Sequence, residues 1–268
     1  MSDWFSPGRG VPARKRFGQH FLFDQVILQK MVSAIAPQLS DRIVEIGPGR
    51  GALTEHLLAV LPHLDVVEID RDLIPLLTGM ASTEQLSVHE ADILKFDVGA
   101  IATALSSQIR VVGNLPYNIS TPLMFHLFSS LALIDDMHFL LQKEVADRMV
   151  AVVGSSQYGR LSVMTQFFCD VECLFDVGPE AFHPPPKVDS TFVRLQPHRR
   201  YQLSTDEFEV LRRLVSHVFT MRRKTLRKSL QSLIPLAQLG QLPVDLTLRP
   251  QELSVDQYVL LSQKITLE

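Results

Sequence analysis

The chain has 268 residues, of which 46% are hydrophobic and 21% charged, and carries a formal net charge of −3 at pH 7. This length accommodates one large domain, or one of ordinary size with a small appendage, and the balance is that of a globular rather than a disordered protein. No apolar run approaches a membrane span, and the first residues lack the apolar core of a signal peptide. Two cysteines, Cys169 and Cys173, are too few for a disulfide scaffold or a typical structural zinc site. A cytoplasmic protein with reduced thiols and no metal is expected.

A basic arm over residues 1–17, with Arg9, Arg14, Lys15 and Arg16 against Asp3, opens the chain; its glycines, prolines and charges predict flexibility. Asp24 stands as the N-cap of a helix running to about Ala36, with Ile27, Met31 and Ile35 on one stripe. Arg42 to Ile46 is a short buried-strand pattern ending in the loop Gly47-Pro48-Gly49-Arg50-Gly51. A helix over Leu53 to Leu61, a strand over Asp65 to Asp70, and a helical segment from Asp72 to about Met80 follow. Leu86 to His89 is a third strand closing on Asp92. Ile109 to Gly113 is a fourth, feeding into Asn114-Leu115-Pro116-Tyr117. Thr121 to Leu131 reads as helix and Met137 to Gln142 as a fifth strand. Arg160 to Cys169 is helical, and strands near Val171–Val177 and Val188–Leu195 flank a stiff loop at Pro184-Pro185-Pro186.

Strands and helices alternating at this spacing predict an α/β, Rossmann-like fold: a mostly parallel sheet with helices on both faces and ligands beyond the carboxyl ends of its strands. Composition changes after Gln196-Pro197. Ser204 and Glu207 form a capping box, with Phe208, Leu211, Val215 and Val218 at helical spacing behind it. A second helix from about Arg222 has a seam of Leu226, Leu230 and Leu233, and the leucine-rich remainder reads as helical. The chain thus divides into a ligand-binding domain over residues 1–198 and a small all-α domain over residues 199–268. Between Pro197 and Lys228, nine Lys or Arg stand against three acids, a local balance of +6. Such a cluster suits either a solvated helix face or a surface that touches phosphates.

The glycine loop follows a strand and opens a helix, so Gly47 and Gly49 allow a ligand close to the backbone near a helix N-terminus. Taken alone, the loop fits NAD as well as S-adenosylmethionine. Glu68 stands nineteen residues after Gly49 at the end of the next strand, where a carboxylate can accept from both ribose hydroxyls. Asp92, ending the third strand, is placed to accept from a cofactor's adenine amine. Asn114-Leu115-Pro116-Tyr117 favours methyl transfer. Pro116 lacks an N–H and interrupts the ladder, leaving nearby carbonyls as acceptors. Asn114 adds an amide oxygen, and Tyr117 a ring on which a base can stack. Acceptors converging on an exocyclic amine beside an aromatic face are what methylation of adenine N6 requires. Phe182 is a candidate second stacking face.

Four segments occur in a distinctive order: Gln19-His20-Phe21-Leu22, Val44 to Gly51, Asn114 to Ser120, and Phe182 to Ser190. Together they resemble the ribosomal RNA adenine N6,N6-dimethyltransferases, above all the branch that dimethylates two adjacent adenosines near the 3′ end of small-subunit rRNA. The resemblance covers nearly the whole chain, including Arg222-Arg223-Lys224-Thr225. It implies S-adenosylmethionine contacts from His20 and Leu22 through backbone groups, and from Gly47, Glu68, Asp92 and Asn114. The family often has Asn where this chain has His20. It also implies that the helical domain helps to dock a 30S or pre-30S particle, with Arg14, Lys15, Arg16, Arg222, Arg223, Lys224, Arg227 and Lys228 as the RNA-contacting residues of a monomer. The rival readings are a non-catalytic assembly factor that keeps the fold, a DNA or large-subunit rRNA adenine-N6 methyltransferase and, last, an oxidoreductase.

Overall fold

In the structure, a computed structural model describing residues 11–105 and 107–266, the chain begins with β1 (Phe21–Leu22), α1 (Gln25–Ile35), β2 (Ile43–Ile46), α2 (Ala52–Leu58), β3 (Leu64–Glu68) and α3 (Ile74–Thr78). It continues through β4 (Leu86–Glu90), α4 (Val98–Leu105), β5 (Ile109–Asn114), α5 (Ser120–Leu127), β6 (Ile134–Gln142) and α6 (Lys143–Met149). Then come α7 (Arg160–Phe168), β7 (Cys169–Val177), β8 (Phe182–His183), β9 (Ser190–Pro197), α8 (Thr205–Thr220), α9 (Leu226–Leu230), α10 (Leu236–Leu239) and α11 (Val255–Ser262).

The chain forms two compact units. One comprises residues up to Ala146 together with Glu172–Pro197; the other comprises Asp147–Val171 and the chain from His198 onward. The segment carrying α7 thus belongs with the C-terminal helices, a division that the composition change after Pro197 does not mark.

In the first unit the sheet has the order β4-β3-β2-β5-β6-β9-β7. Strands β2 to β6 are parallel, and β9 runs antiparallel to β6. All four residues of β2 are buried, as expected of a strand covered on both faces. The chain proceeds outward from β2 through β3 and β4, then returns to place β5 on the other side of β2. That reversal opens a crevice at the carboxyl ends of β2 and β5. Close approach of these two strands requires Gly113, where a Cβ would stand 2.4 Å from the Ile46 carbonyl oxygen.

Helix α1 starts where the sequence predicts. The Asp24 carboxylate accepts from the Val26 and Ile27 N–H groups at 2.9 and 3.1 Å. Its fully buried stripe is Leu28, Met31 and Ile35, with Ile27 only partly buried beside it. Helices α4 and α6 were not anticipated. The expected helix after Thr121 is α5 followed by a 3-10 turn over Phe128–Leu133.

In the second unit α8 has the capping box read from Ser204 and Glu207. Helix α9 begins at Leu226 rather than near Arg222 and ends at Leu230, and Ile234, not Leu233, is buried beyond it. The tail is less helical than its leucine content suggests, since Pro235, Gly240, Pro243 and Pro250 interrupt it. Among the described residues no helix is long and apolar enough to cross a membrane. Cys169 is buried, Cys173 is exposed, and no disulfide joins them.

Candidate active site

The glycine loop leaves β2 and climbs to the start of α2. Gly49 has a φ of +58°, and a Cβ there would press to 3.0 Å from the Phe21 ring. The Gly49 N–H donates to Glu68 Oε2 at 3.1 Å, while Glu68 Oε1 accepts from the Ile69 and Asp70 N–H groups, each at 2.9 Å. Glu68 therefore ties the end of β3 to the glycine loop. Glu68 is 5% exposed, and burial pushes its pKa up although three backbone donors pull it down.

A second carboxyl, not singled out in the sequence, lies behind it. Glu45 is 2% exposed, accepts from Thr54 Oγ1 at 2.7 Å, and has its pKa raised to about 8, chiefly by burial. The signal for it was present: an acid inside the apolar run Ile43-Val44-Glu45-Ile46.

Residues 17–22 form one wall of the cavity. Of the arm expected over residues 1–17, residues 1–10 lie outside the described residues; the remainder is fastened to the sheet. Gln19 Nε2 donates to Asp70 at 2.9 Å, and the Arg50 guanidinium donates to the Val11 carbonyl at 2.8 and 3.3 Å while lying over Phe21. Arg14, read from the sequence as an RNA contact, instead ion-pairs with Asp70 and Asp72. The physical reason is Asp70, which is 0% exposed and needs a counter-charge. The side chain of Lys15 lies outside the described residues. Arg16 is exposed, with its guanidinium over the Phe17 ring.

Asn114 closes β5 opposite this wall. Its Nδ2 donates to the His20 carbonyl at 3.1 Å, which leaves Oδ1 as its acceptor atom. Leu115 is buried, and its N–H donates to the Leu140 carbonyl. The Pro116 carbonyl accepts from the Ile119 N–H and the Ser120 hydroxyl, so it is already engaged within the turn. The Tyr117 hydroxyl pairs with Ser190 Oγ at 2.8 Å, and burial raises its pKa. One face of the Tyr117 ring stacks on His20, with centroids 5.3 Å apart and planes at 27°.

His20, Leu22, Gly47, Gly49, Glu68, Asp92, Asn114, Leu115, Pro116 and Tyr117 all line a single cavity. Asp92 sits just beyond β4, with one oxygen accepting from the Leu94 N–H. Phe182 is different. It is 2% exposed, pairs with Leu22 in the β1–β8 ladder, and packs into the core beneath the cavity. Its apolar ring gains more from that burial than from an exposed position, so in this structure Tyr117 is the aromatic face and Phe182 the packing beneath. Among the described residues no group of three His, Cys, Asp or Glu side chains is arranged to hold a metal ion.

In the second unit the basic residues separate into two kinds. Arg222 is committed internally: its Nε donates to Gln251 Oε1 at 2.8 Å and its Nη2 to the carbonyls of Ser155 and Ser156. Arg223, Lys224, Arg227 and Lys228 have exposed side chains and enter no ion pair among the described residues.

Comparison with known proteins agrees with this geometry. Residues 10–266 match the family model described as ribosomal RNA adenine dimethylase. Proteins named Ribosomal RNA small subunit methyltransferase A are similar throughout. That of Saccharophagus degradans is 52% identical, covering 97% of each chain, and that of Marinomonas sp. is 50% identical over 94% of this chain and 95% of its own. A crystal structure of a dimethyladenosine transferase from Plasmodium falciparum superposes with a TM-score of 0.74 at 29% identity, covering 90% of this chain and 95% of that one. The 23S rRNA methyltransferase ErmE, at 24% identity and a TM-score of 0.66, shares the fold over 91% of this chain and 98% of its own. With its parallel sheet, its glycine-loop cavity and this match along nearly its whole length, the chain belongs to the ribosomal RNA adenine dimethylase family.

Proposed function

We propose that this protein transfers methyl groups from S-adenosylmethionine to N6 of two adjacent adenosines near the 3′ end of small-subunit rRNA, giving N6,N6-dimethyladenosine. The observation that carries the reading is the fixed orientation of Asn114. Its amide oxygen is left as an acceptor in the same cavity as the glycine loop, Glu68 and Tyr117. The small-subunit methyltransferases that match at about half identity over nearly full length support the choice of substrate.

The cavity suits the cofactor. Glycines leave the loop open at a helix N-terminus, and the carboxylates of Glu68 and Asp92 lie at the ends of successive strands, where ribose hydroxyls and an adenine amine would be held. When bound, S-adenosylmethionine supplies an electrophilic methyl. The residues of the chain supply position and charge stabilisation. Asn114 Oδ1 and the Leu115 carbonyl accept the two N–H bonds of the adenine amine, drawing its lone pair out of conjugation and aiming it. The open face of Tyr117 holds the base, which must be out of its stack to enter. Charge that builds on the amine is stabilised by the same two oxygens, and the proton leaves to water. The reaction so described calls on no metal.

Arg16, Arg223, Lys224, Arg227 and Lys228 are assigned to RNA backbone, giving salt-dependent affinity with little base reading. The substrate is taken as a 30S or pre-30S particle, and the protein as a cytoplasmic monomer.

The test is incubation with methyl-labelled S-adenosylmethionine and small subunits lacking the dimethyladenosines, with Asn114→Ala in parallel. Label recovered as N6,N6-dimethyladenosine, and lost in the variant, supports both reaction and site. Tight particle binding without label from the parent protein would instead favour a non-catalytic assembly factor.

A further inference from the structure

His20 makes contacts with both the Asn114–Tyr117 turn and the proline loop. Its backbone carbonyl accepts from Asn114 Nδ2 at 3.1 Å. Its ring lies on Tyr117 at 5.3 Å between centroids. Its Nδ1 is 2.7 Å from the Pro184 carbonyl in the proline loop. A carbonyl only accepts, so Nδ1 must carry the hydrogen. The imidazole is therefore fixed in tautomer and in plane, and it covers one face of Tyr117, leaving a base only the other.

From this geometry we infer that the His20 imidazole is a positioning residue for the target base, separate from any backbone contact this residue makes with the cofactor. It holds the Tyr117 ring and the Pro184 loop in one arrangement. Its importance differs between the two transfers to one nitrogen. The unmodified amine offers two N–H bonds, one each to Asn114 Oδ1 and the Leu115 carbonyl. After the first transfer a single N–H remains, so alignment then depends more on the stacked ring. Loosening Tyr117 slows the second transfer more than the first.

The inference rests on the adenine-N6 reading above, and the experiment separates the two. The parent, His20→Ala, His20→Asn and His20→Phe are compared in single-turnover methylation of small subunits lacking the modification. Cofactor affinity is measured by calorimetry on the same samples. The expected result for His20→Ala is a cofactor Kd within about twofold of the parent and a second transfer slowed about tenfold more than the first, with N6-monomethyladenosine accumulating. The Asn side-chain nitrogen occupies the place of Nδ1 and can still donate to Pro184, while Phe keeps only the stack, so each restores part of the ratio between second and first transfers. An unchanged ratio in His20→Ala, or a loss of rate matched by an equal loss of cofactor affinity, overturns the inference. The ring ¹⁵N shifts of His20 in the parent protein give a readout that needs neither folding of a variant nor turnover. A hydrogen on Nδ1 is expected, and an Nδ1 without one overturns the anchor. Absence of methyl transfer by the parent itself would overturn the functional reading, whereas the tautomer still decides the placement of His20.

Discussion

The Asn114 carboxamide is oriented by a backbone group, the His20 carbonyl, which takes its Nδ2 at 3.1 Å and so turns Oδ1 away from that wall. Asp at this position is therefore not a conservative change. A carboxylate offers no hydrogen to the His20 carbonyl, and two oxygens would face each other. Asn114→Asp is expected to lower kcat roughly 10²–10³-fold, the scale of losing one aligned charge-stabilising group. Methyl-transfer kinetics with the cofactor saturating check it, and activity within twofold of the parent would contradict the assigned orientation.

Glu68 serves structure and ligand at once, because its oxygens accept three backbone N–H groups from two segments. Glu68→Ala orphans those donors. It is expected to cost about 1–3 kcal/mol of stability together with at least a tenfold loss of cofactor affinity. Glu68→Gln keeps one acceptor oxygen and is expected to fall between. Chemical denaturation and calorimetry on the same samples read both effects.

Arg222 and its neighbours separate by role. Arg222→Ala removes the tie between the Ser155–Ser156 turn and Gln251, and is expected to destabilise the protein by about 1–3 kcal/mol. Arg223→Ala with Lys224→Ala leaves stability within about 0.5 kcal/mol and lowers the salt dependence of particle binding by about two phosphate contacts. Binding measured between 50 and 200 mM salt distinguishes them.

Two buried groups give stability an opposite dependence on pH. His138 is 1% exposed and held near a pKa of about 4 by burial, against an ordinary value of 6.5, with Asp136, Arg110 and Arg194 around it. Between these values the unfolded chain binds the proton and the folded one does not, so stability falls as pH drops from 6.5 to 4, by about 3 kcal/mol in all. Glu45 has its pKa raised from 4.5 to about 8, so the stability of its neutral form is present at low pH and lost as pH rises through about 8. His138→Leu is expected to flatten the acid limb. Glu45→Gln should leave the protein more stable than the parent at pH 9. Denaturation midpoints across pH 4–9 test both; parallel curves would contradict these assignments.

Helix α1 ends at Ala36, whose φ of 48° and ψ of 55° place it in the left-handed region. Ala36→Gly removes the Cβ penalty there and is expected to stabilise the fold by about 1 kcal/mol, raising the thermal midpoint by a few degrees.

Much of the architecture was legible because it is written in local chemistry. Asp24 and Ser204 cap helices since their side chains reach the first free N–H groups, whatever lies further away. Strands such as Ile43–Ile46 announce themselves because parallel strands are apolar on both faces. Helices α4 and α6 escaped because both are short, eight and seven residues, and α4 has a glycine in its first turn even though the Asp97 carboxylate caps it at 2.9 Å from the Gly99 N–H.

The sequence by itself determined the alternation of strands and helices, the glycine loop, and the identity of the acceptor tetrapeptide, because backbone propensity and side-chain type act over a few residues. Tertiary structure alone decided three other matters. It committed Arg14 and Arg222 to internal partners, drew Phe182 into the core, and set the Asn114 amide by a residue ninety-four positions away. The polar commitments depend on which groups folding brings within about 3 Å, where desolvation makes an unpaired polar atom costly, and the place of Phe182 on the apolar surface it buries; chain spacing carries no record of either.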